Sequence, residues 1–203
     1  MKKTILRTAL LTLGATLVIA IAVFGIVSFC FPYVMMDFTA SLGLESLSGD
    51  YAYQEYERSG SIDCLARSFV IAAERKNDKA ADARFTVLYE EERDKFEEYC
   101  ASFVADTAET GIEEVSMRDY LLGLACRVKY RLQNSSWDEV CDFAINNTKE
   151  SFPQGNPVVY LAVEARGAGD ASFCAKLLAK MQEKNFEKNS DYLRIEKLLG
   201  GTS

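Results

Sequence analysis

No charged residue occurs between Thr8 and Met36, and the stretch ALLTLGATLVIAIAVFGIVSFC within it is almost wholly apolar. A bilayer core accepts a helix of about 20 such residues, because backbone polar groups there must be satisfied inside the segment. The run therefore predicts a transmembrane helix over residues 8–34, with Leu10, Leu13, Leu17, Ile19, Val23, Phe24, Ile26 and Phe29 among its lipid-facing side chains. Lys2, Lys3 and Arg7 precede it, and the far flank is acidic, with Asp37, Glu45 and Asp50 before the first positive charge at Arg58. The positive-inside rule then puts residues 1–7 in the cytoplasm and residues 35–203 outside it. Pro32 is expected to close the helix, with Phe29, Phe31 and Tyr33 at the interface.

A cleaved signal peptide carries a shorter apolar region, about 7–15 residues, and ends in a small-x-small site. Here the bulky sequence SFCFPY stands in that place, and Phe29 before Cys30 is a poor fit to lipoprotein processing. An uncleaved anchor is the expectation. The paired lysines at the start and the compact anchor suggest a bacterial envelope protein.

Behind the anchor, apolar residues recur at helical spacing. Ile62, Leu65, Ala66, Phe69, Val70 and Ala73 form one stripe. Phe96, Tyr99, Cys100, Phe103 and Val104 form another, as do Trp137, Val140, Cys141, Ala144 and Ile145, and again Cys174, Leu177, Leu178 and Met181. Ser136 with Glu139 spells a capping box, and Ser116 with Asp119 a weaker one. Asn156-Pro157 supplies a cap and a first-turn proline. Gly60, Gly111, Gly155 and Gly169 mark breaks. No alternating strand pattern of useful length is present, so the fold class is all-α. The breaks group the helices into pairs: 41–59 with 61–76, 79–91 with 93–110, 116–133 with 136–150, and 157–167 with 170–185. A short helix over 190–199 would cover the end. The run from Lys79 to Thr110 has no Gly or Pro, which leaves one long helix as the alternative there.

The net charge of −7 opposes nucleic-acid binding and attraction to anionic lipid. The chain has no histidine, which removes the commonest general base and metal ligand. No catalysis, cofactor or metal is expected. The acidic run Glu90-Glu91-Glu92 with Asp94, Glu97 and Glu98 is interleaved with Arg93 and Lys95 and lacks calcium-loop spacing, so it reads as a solvated face. Six cysteines, at 30, 64, 100, 126, 141 and 174, form no C-x-x-C pair, and the last four sit among apolar residues as buried thiols would. Such thiols sit awkwardly in an oxidising exterior. Cys64, beside Asp63 and Arg67, is the candidate for a reactive thiol if the chain is instead an anchored enzyme or sensor, and a carboxylate pair is the other candidate. Tyr53, Tyr56 and Tyr89 are the candidate partner-binding aromatics, because tyrosine supplies contact area at low entropic cost.

The stretch YERSGSIDCLARSFVIAAE resembles a tetratricopeptide repeat through Tyr56, Gly60, Phe69 and Ala72, with Leu65 where that family prefers a small residue. LAVEARGAGDASFCAKLLAKM resembles it more loosely through Leu161, Ala162 and Gly169, and WDEVCDFAINNTKESFP has the character of a second helix ending near Pro153. The resemblance implies a right-handed superhelix of stacked helix hairpins, whose units bury their apolar faces on their neighbours. It also implies a scaffold with no catalysis of its own. Such a scaffold is an accessory subunit that binds a protein or peptide in or near the membrane.

Overall fold

The computed structural model describes residues 2–107, 116–133, 135–148, 157–184 and 196–197, with side chains in the first segment from Leu10 to Ser102. All regular structure among them is helical. The chain divides after Gly60 into two compact units.

In the first unit, α1 (Lys2–Cys30) takes in most of the tail that the charge pattern assigned to the cytoplasm. It ends earlier than residue 34, because Phe31 leaves helical geometry (φ −134°, ψ 62°). Pro32 does more than close it. The proline opens a second helix, α2 (Pro32–Ser41), which the sequence reading missed. A proline lacks the N–H that a continuing helix needs, yet its fixed φ suits a first-turn position. A turn at Leu42–Leu44 leads into α3 (Glu45–Ser59), so the helix expected over 41–59 starts later. Met35 and Met36 of α2 pack with Tyr51 and Ala52 of α3, and Val27 of α1 packs against this cluster. The Ser48 hydroxyl donates to the Met36 carbonyl at 2.9 Å, tying the two helices across the cluster. At Gly60 the backbone turns left-handed (φ 71°) and its N–H bonds back to the Tyr56 carbonyl, ending α3. Only glycine adopts that geometry without strain.

In the second unit, Ser61 caps α4 (Ile62–Glu74), its hydroxyl accepting from the Cys64 N–H. Then come α5 (Asp78–Thr86), a π-helical turn (Val87–Glu91) and α6 (Arg93–Thr107). The break expected between 91 and 93 is therefore present, made at Glu92 with neither glycine nor proline. Next are α7 (Met117–Leu132), α8 (Trp137–Asn146), α9 (Pro157–Gly167) and α10 (Ala171–Glu183). The capping box at the start of α8 forms as read: Glu139 N–H to Ser136 Oγ at 3.2 Å, and Ser136 N–H to Glu139 Oε2 at 2.8 Å. Ser116 accepts from Asp119 N–H in the same way. Of the expected helix at 190–199 only residues 196–197 are described, and they are helical; the breaks at Gly111 and Gly155 and the cap at Asn156 lie outside the described residues, as do the side chains of Phe103 and Val104.

Helix α7 organises this unit. It packs on α4, α5 and α6, and also on α8 and α9, so α5, α7 and α9 lie in a row although they alternate in the chain. Leu121, Leu122, Leu124, Ala125, Cys126, Val128 and Tyr130 are all buried, and no residue of this helix is fully exposed. That is why no clean stripe announced it: a helix enclosed by others has little amphipathic period to read. Around its second half gather Val140, Cys141, Ala144 and Ile145 of α8, Val158, Leu161 and Ala162 of α9, and Phe173, Leu177 and Met181 of α10. Phe69 of α4 meets Phe85 of α5 at 5.2 Å between ring centroids, and Phe85 meets Phe143 of α8 edge-on at 6.1 Å.

The tightest approach is between α7 and α9. A methyl group built on Gly123 would stand 2.5 Å from Cδ2 and 2.6 Å from Cγ of Tyr160. Those ring atoms lie near the backbone of α9 and yield only if the helices separate. We therefore expect Gly123→Ala to destabilise the protein by about 1–3 kcal/mol, despite the roughly 1 kcal/mol that alanine gains over glycine in a helix. Urea unfolding of the full chain in detergent, followed by circular dichroism, checks this. A stabilised variant would mean that Tyr160 swings clear at no cost.

Candidate interaction surface

The expected anchor residues Leu10, Leu13, Leu17, Ile19, Val23, Phe24, Ile26 and Phe29 all lie on α1, and each is between 51 and 85 % exposed. Leu10–Cys30 is a 21-residue segment long and apolar enough to cross a membrane, with none of it buried by the rest of the protein. It is the one such helix among the described residues.

The three tyrosines singled out in the sequence are divided between the two units. Tyr53 and Tyr56 are half-buried on α3 in the first unit, with ring centroids 6.0 Å apart. Tyr89 belongs to the second unit, in the π turn, where it stacks on Phe85 at 5.3 Å and meets Phe96 and Phe143 edge-on, each at 5.9 Å. Its hydroxyl bonds to Asn147 Oδ1 at 3.0 Å. These contacts join the π turn to α6 and to the end of α8, so the geometry of Tyr89 is that of a packing residue. The wider turn lets Leu88 point fully inward beside it.

The residues that sequence reasoning passed over lie along one side of α7. Tyr120, Gly123, Arg127 and Arg131 follow a single helical stripe and face Tyr160 and Glu164 of α9. Arg131 is the centre of it. Its guanidinium makes a two-pronged bond to the Asp78 carboxylate, with Nη2 2.6 Å from Oδ1 and Nε 3.1 Å from Oδ2. It also donates from Nη2 to the Ala73 carbonyl at 3.0 Å and reaches Glu164 Oε1 at 3.3 Å. One side chain thus joins the end of α4, the start of α5, and helices α7 and α9. Arg127 Nε holds the other oxygen of Glu164 at 2.7 Å. Further up, Tyr120 donates to Glu74 Oε1 at 2.9 Å and meets the Tyr160 ring edge-on. Burial pushes both phenols up, and for Tyr120 the Glu74 carboxylate adds to the effect. Each partner lies tens of residues away in the chain, so only a periodicity shared by distant helices could have signalled the seam.

The chemical capacity of these groups is small. None of the six cysteines is in a disulfide, and all but Cys30 are buried. Cys64, the candidate reactive thiol, lies inside α4 rather than at the surface. Burial pushes the Cys141 thiol up to about 12 and the Cys126 thiol higher still, which holds both in the unreactive protonated form. Among the described residues no group of three His, Cys, Asp or Glu side chains is placed to hold a metal ion. The acidic run is the solvated face expected of it: Glu90, Glu91, Asp94, Glu97 and Glu98 are exposed, Glu92 pairs with Lys95, and Glu97 with Arg118.

Glu164 makes the seam sensitive to acid. Burial alone would raise its carboxyl, but the hydrogen bond and charge of Arg127, together with Arg131, outweigh burial and hold it below the ordinary value. A carboxyl with a lowered folded-state value supplies its stability in full above the unfolded value of about 4.3. That contribution is lost as pH falls through the lowered one. The urea midpoint of the wild type should therefore fall more steeply between about pH 5 and pH 3 than that of Glu164→Gln. Parallel slopes would show that Glu164 gains nothing from its two arginines.

No family model, curated protein or solved structure matches the chain.

Proposed function

We propose that this is a single-pass membrane protein of the bacterial envelope. Its α1 helix anchors a tetratricopeptide-like helical body, and that body serves as an interaction scaffold for a protein partner at the membrane. The N-terminal end lies in the cytoplasm and the body on the opposite face.

The carrying observation is the unburied Leu10–Cys30 segment. A helix of that length and hydrophobicity, exposed along nearly all of its length, finds its complement in hydrocarbon. The side-by-side packing of α5, α7 and α9 supports the stacked-hairpin reading, since alternate helices become neighbours in such a stack. A tether raises the concentration of the body near membrane partners. Tyr53 and Tyr56 on α3 and the exposed Val163 on α9 are the surface contacts offered for binding.

In intact cells, a membrane-impermeant maleimide should leave Cys64, Cys100, Cys126, Cys141 and Cys174 unlabelled until mild denaturant opens the fold. They should then label without permeabilisation. Labelling that requires permeabilised membranes would reverse the orientation, and release of the protein by alkaline carbonate would remove the anchor. For the scaffold role, a photo-crosslinking residue at Val163 or at Tyr56 should trap a discrete partner. If neither position traps one, the body is a spacer.

A further inference from the structure

The apolar surface of the first unit does not stop with α1. Phe31, Val34, Phe38 and Leu42 follow i, i+3, i+7 and i+11 along α2, and they are 49–57 % exposed. Leu44 and Leu47 carry the stripe around the turn onto the start of α3, and Tyr33 borders it. The adjoining side of α2, with Met35, Met36 and Thr39, is buried against α3, and the exposed Asp37 and Ser41 border the stripe on its other edge. Beyond Leu47 the outward residues of α3 are Asp50, Gln54 and Glu57. The hairpin is therefore two-sided, with hydrocarbon along α2 and polar groups along α3. Asp37 is the single charged residue of α2. A contiguous apolar face of this kind marks a binding surface on a soluble protein or a bilayer contact on a membrane one.

What covers it follows from its attachment. At 1.5 Å per residue the 21-residue segment ending at Cys30 is about 31 Å long, close to the thickness of a hydrocarbon core. Cys30 thus stands at the hydrocarbon boundary, and one residue, Phe31, separates it from α2. A link that short keeps the start of the stripe within a few ångströms of the lipid. The returning strand of the hairpin ends at the same level: Arg58 of α3 donates from Nη1 to the Cys30 carbonyl at 2.8 Å. That bond satisfies one of the last carbonyls of α1 and places a guanidinium where headgroups begin.

We infer that the α2–α3 hairpin is a membrane foot: α2 lies in the boundary between headgroups and acyl chains of the bilayer that α1 spans, with α3 above it facing water. The inference rests on α1 being an anchor. The contact is made by hydrocarbon and aromatic rings, so it needs no anionic lipid and is compatible with an acidic chain.

The test uses the full chain in phosphatidylcholine vesicles, in a Trp137→Phe background so that one introduced indole reports alone. Phe38→Trp and Leu42→Trp should be quenched by lipids brominated near the top of the acyl chain. Both should also be several-fold less accessible to aqueous acrylamide than Gln54→Trp on the polar side of α3. Phe24→Trp, in the middle of α1, controls for the anchor. If Phe24→Trp is quenched by lipid while Phe38→Trp is as open to acrylamide as Gln54→Trp, the foot is wrong and the anchor stands. If Phe24→Trp is not quenched by lipid either, the membrane reading fails and takes the foot with it. If Phe38→Trp is shielded from acrylamide but not quenched by any brominated lipid, and the protein is dimeric, a second copy covers the stripe and the foot is overturned.

Discussion

Helix α7 has neighbours on nearly every side, and the second unit is built outward from that burial. Among the described residues five helices pack on it, through apolar side chains and through ion pairs such as Arg131 with Asp78 and Arg127 with Glu164. An enclosed helix leaves its neighbours few ways to slide, because a shift of any one breaks packing along the whole contact. Gly123 sets how closely α9 approaches, since the Tyr160 ring occupies the space a side chain would need. The polar groups serve the same arrangement. Arg131 joins four helices through Asp78, Glu164 and the Ala73 carbonyl, and Tyr130 reaches across to the Asp170 carboxylate that caps α10. Ion pairs of this partly buried kind contribute modestly to net stability but strongly disfavour other registers, because a shifted helix would leave a desolvated charge without its partner.

Function is best read from exposure. The groups with the chemistry to react are withdrawn: five thiols lie in the interior, and the seam carboxylates Asp78 and Glu164 are occupied by arginines. The exposed apolar groups gather on α1 and along α2, while the acidic run around Glu90 is solvated. A thiol inside a packed helix is poorly reached by oxidants and is held protonated where burial raises it.

The sequence made the helices legible wherever one face met solvent. Of the stripes read from Ile62, Trp137 and Cys174, the inner members from Leu65 to Phe69, from Val140 to Ile145, and Leu177 with Met181 are buried, and the serine caps at 116 and 136 form. At the edges the reading was too narrow or too wide. Trp137 is partly exposed and packs edge-on against Phe173, a buried residue of α10 absent from the stripe. Val70 and Leu178 are only half-buried. Pro32 misled because one residue type both ends a helix and begins one, and the hydrophobic run continues across it. Tyr89, offered as a partner-binding aromatic, is half-buried in the π turn, where its ring clusters with Phe85, Phe96 and Phe143. No local pattern reports such a turn. The tetratricopeptide-like stretch from Tyr56 to Glu74 straddles Gly60, the point where the two units divide.

By itself the sequence determined the all-helical class, the presence of one long apolar helix near the start of the chain, and the interior placement of most of the cysteines. Each of these depends on neighbours in the chain: on helical periodicity, on caps three residues apart, and on an uncharged run long enough to match a bilayer. Tertiary structure decided which helix lies at the centre, which charges meet, and which face of α2 is left uncovered. Those depend on groups brought together from distant parts of the chain, as Arg131 is with Asp78 and Glu164, and Met36 with Ser48. A pairing of that kind has its energy in the packed state alone, so it leaves no period in the sequence to be read.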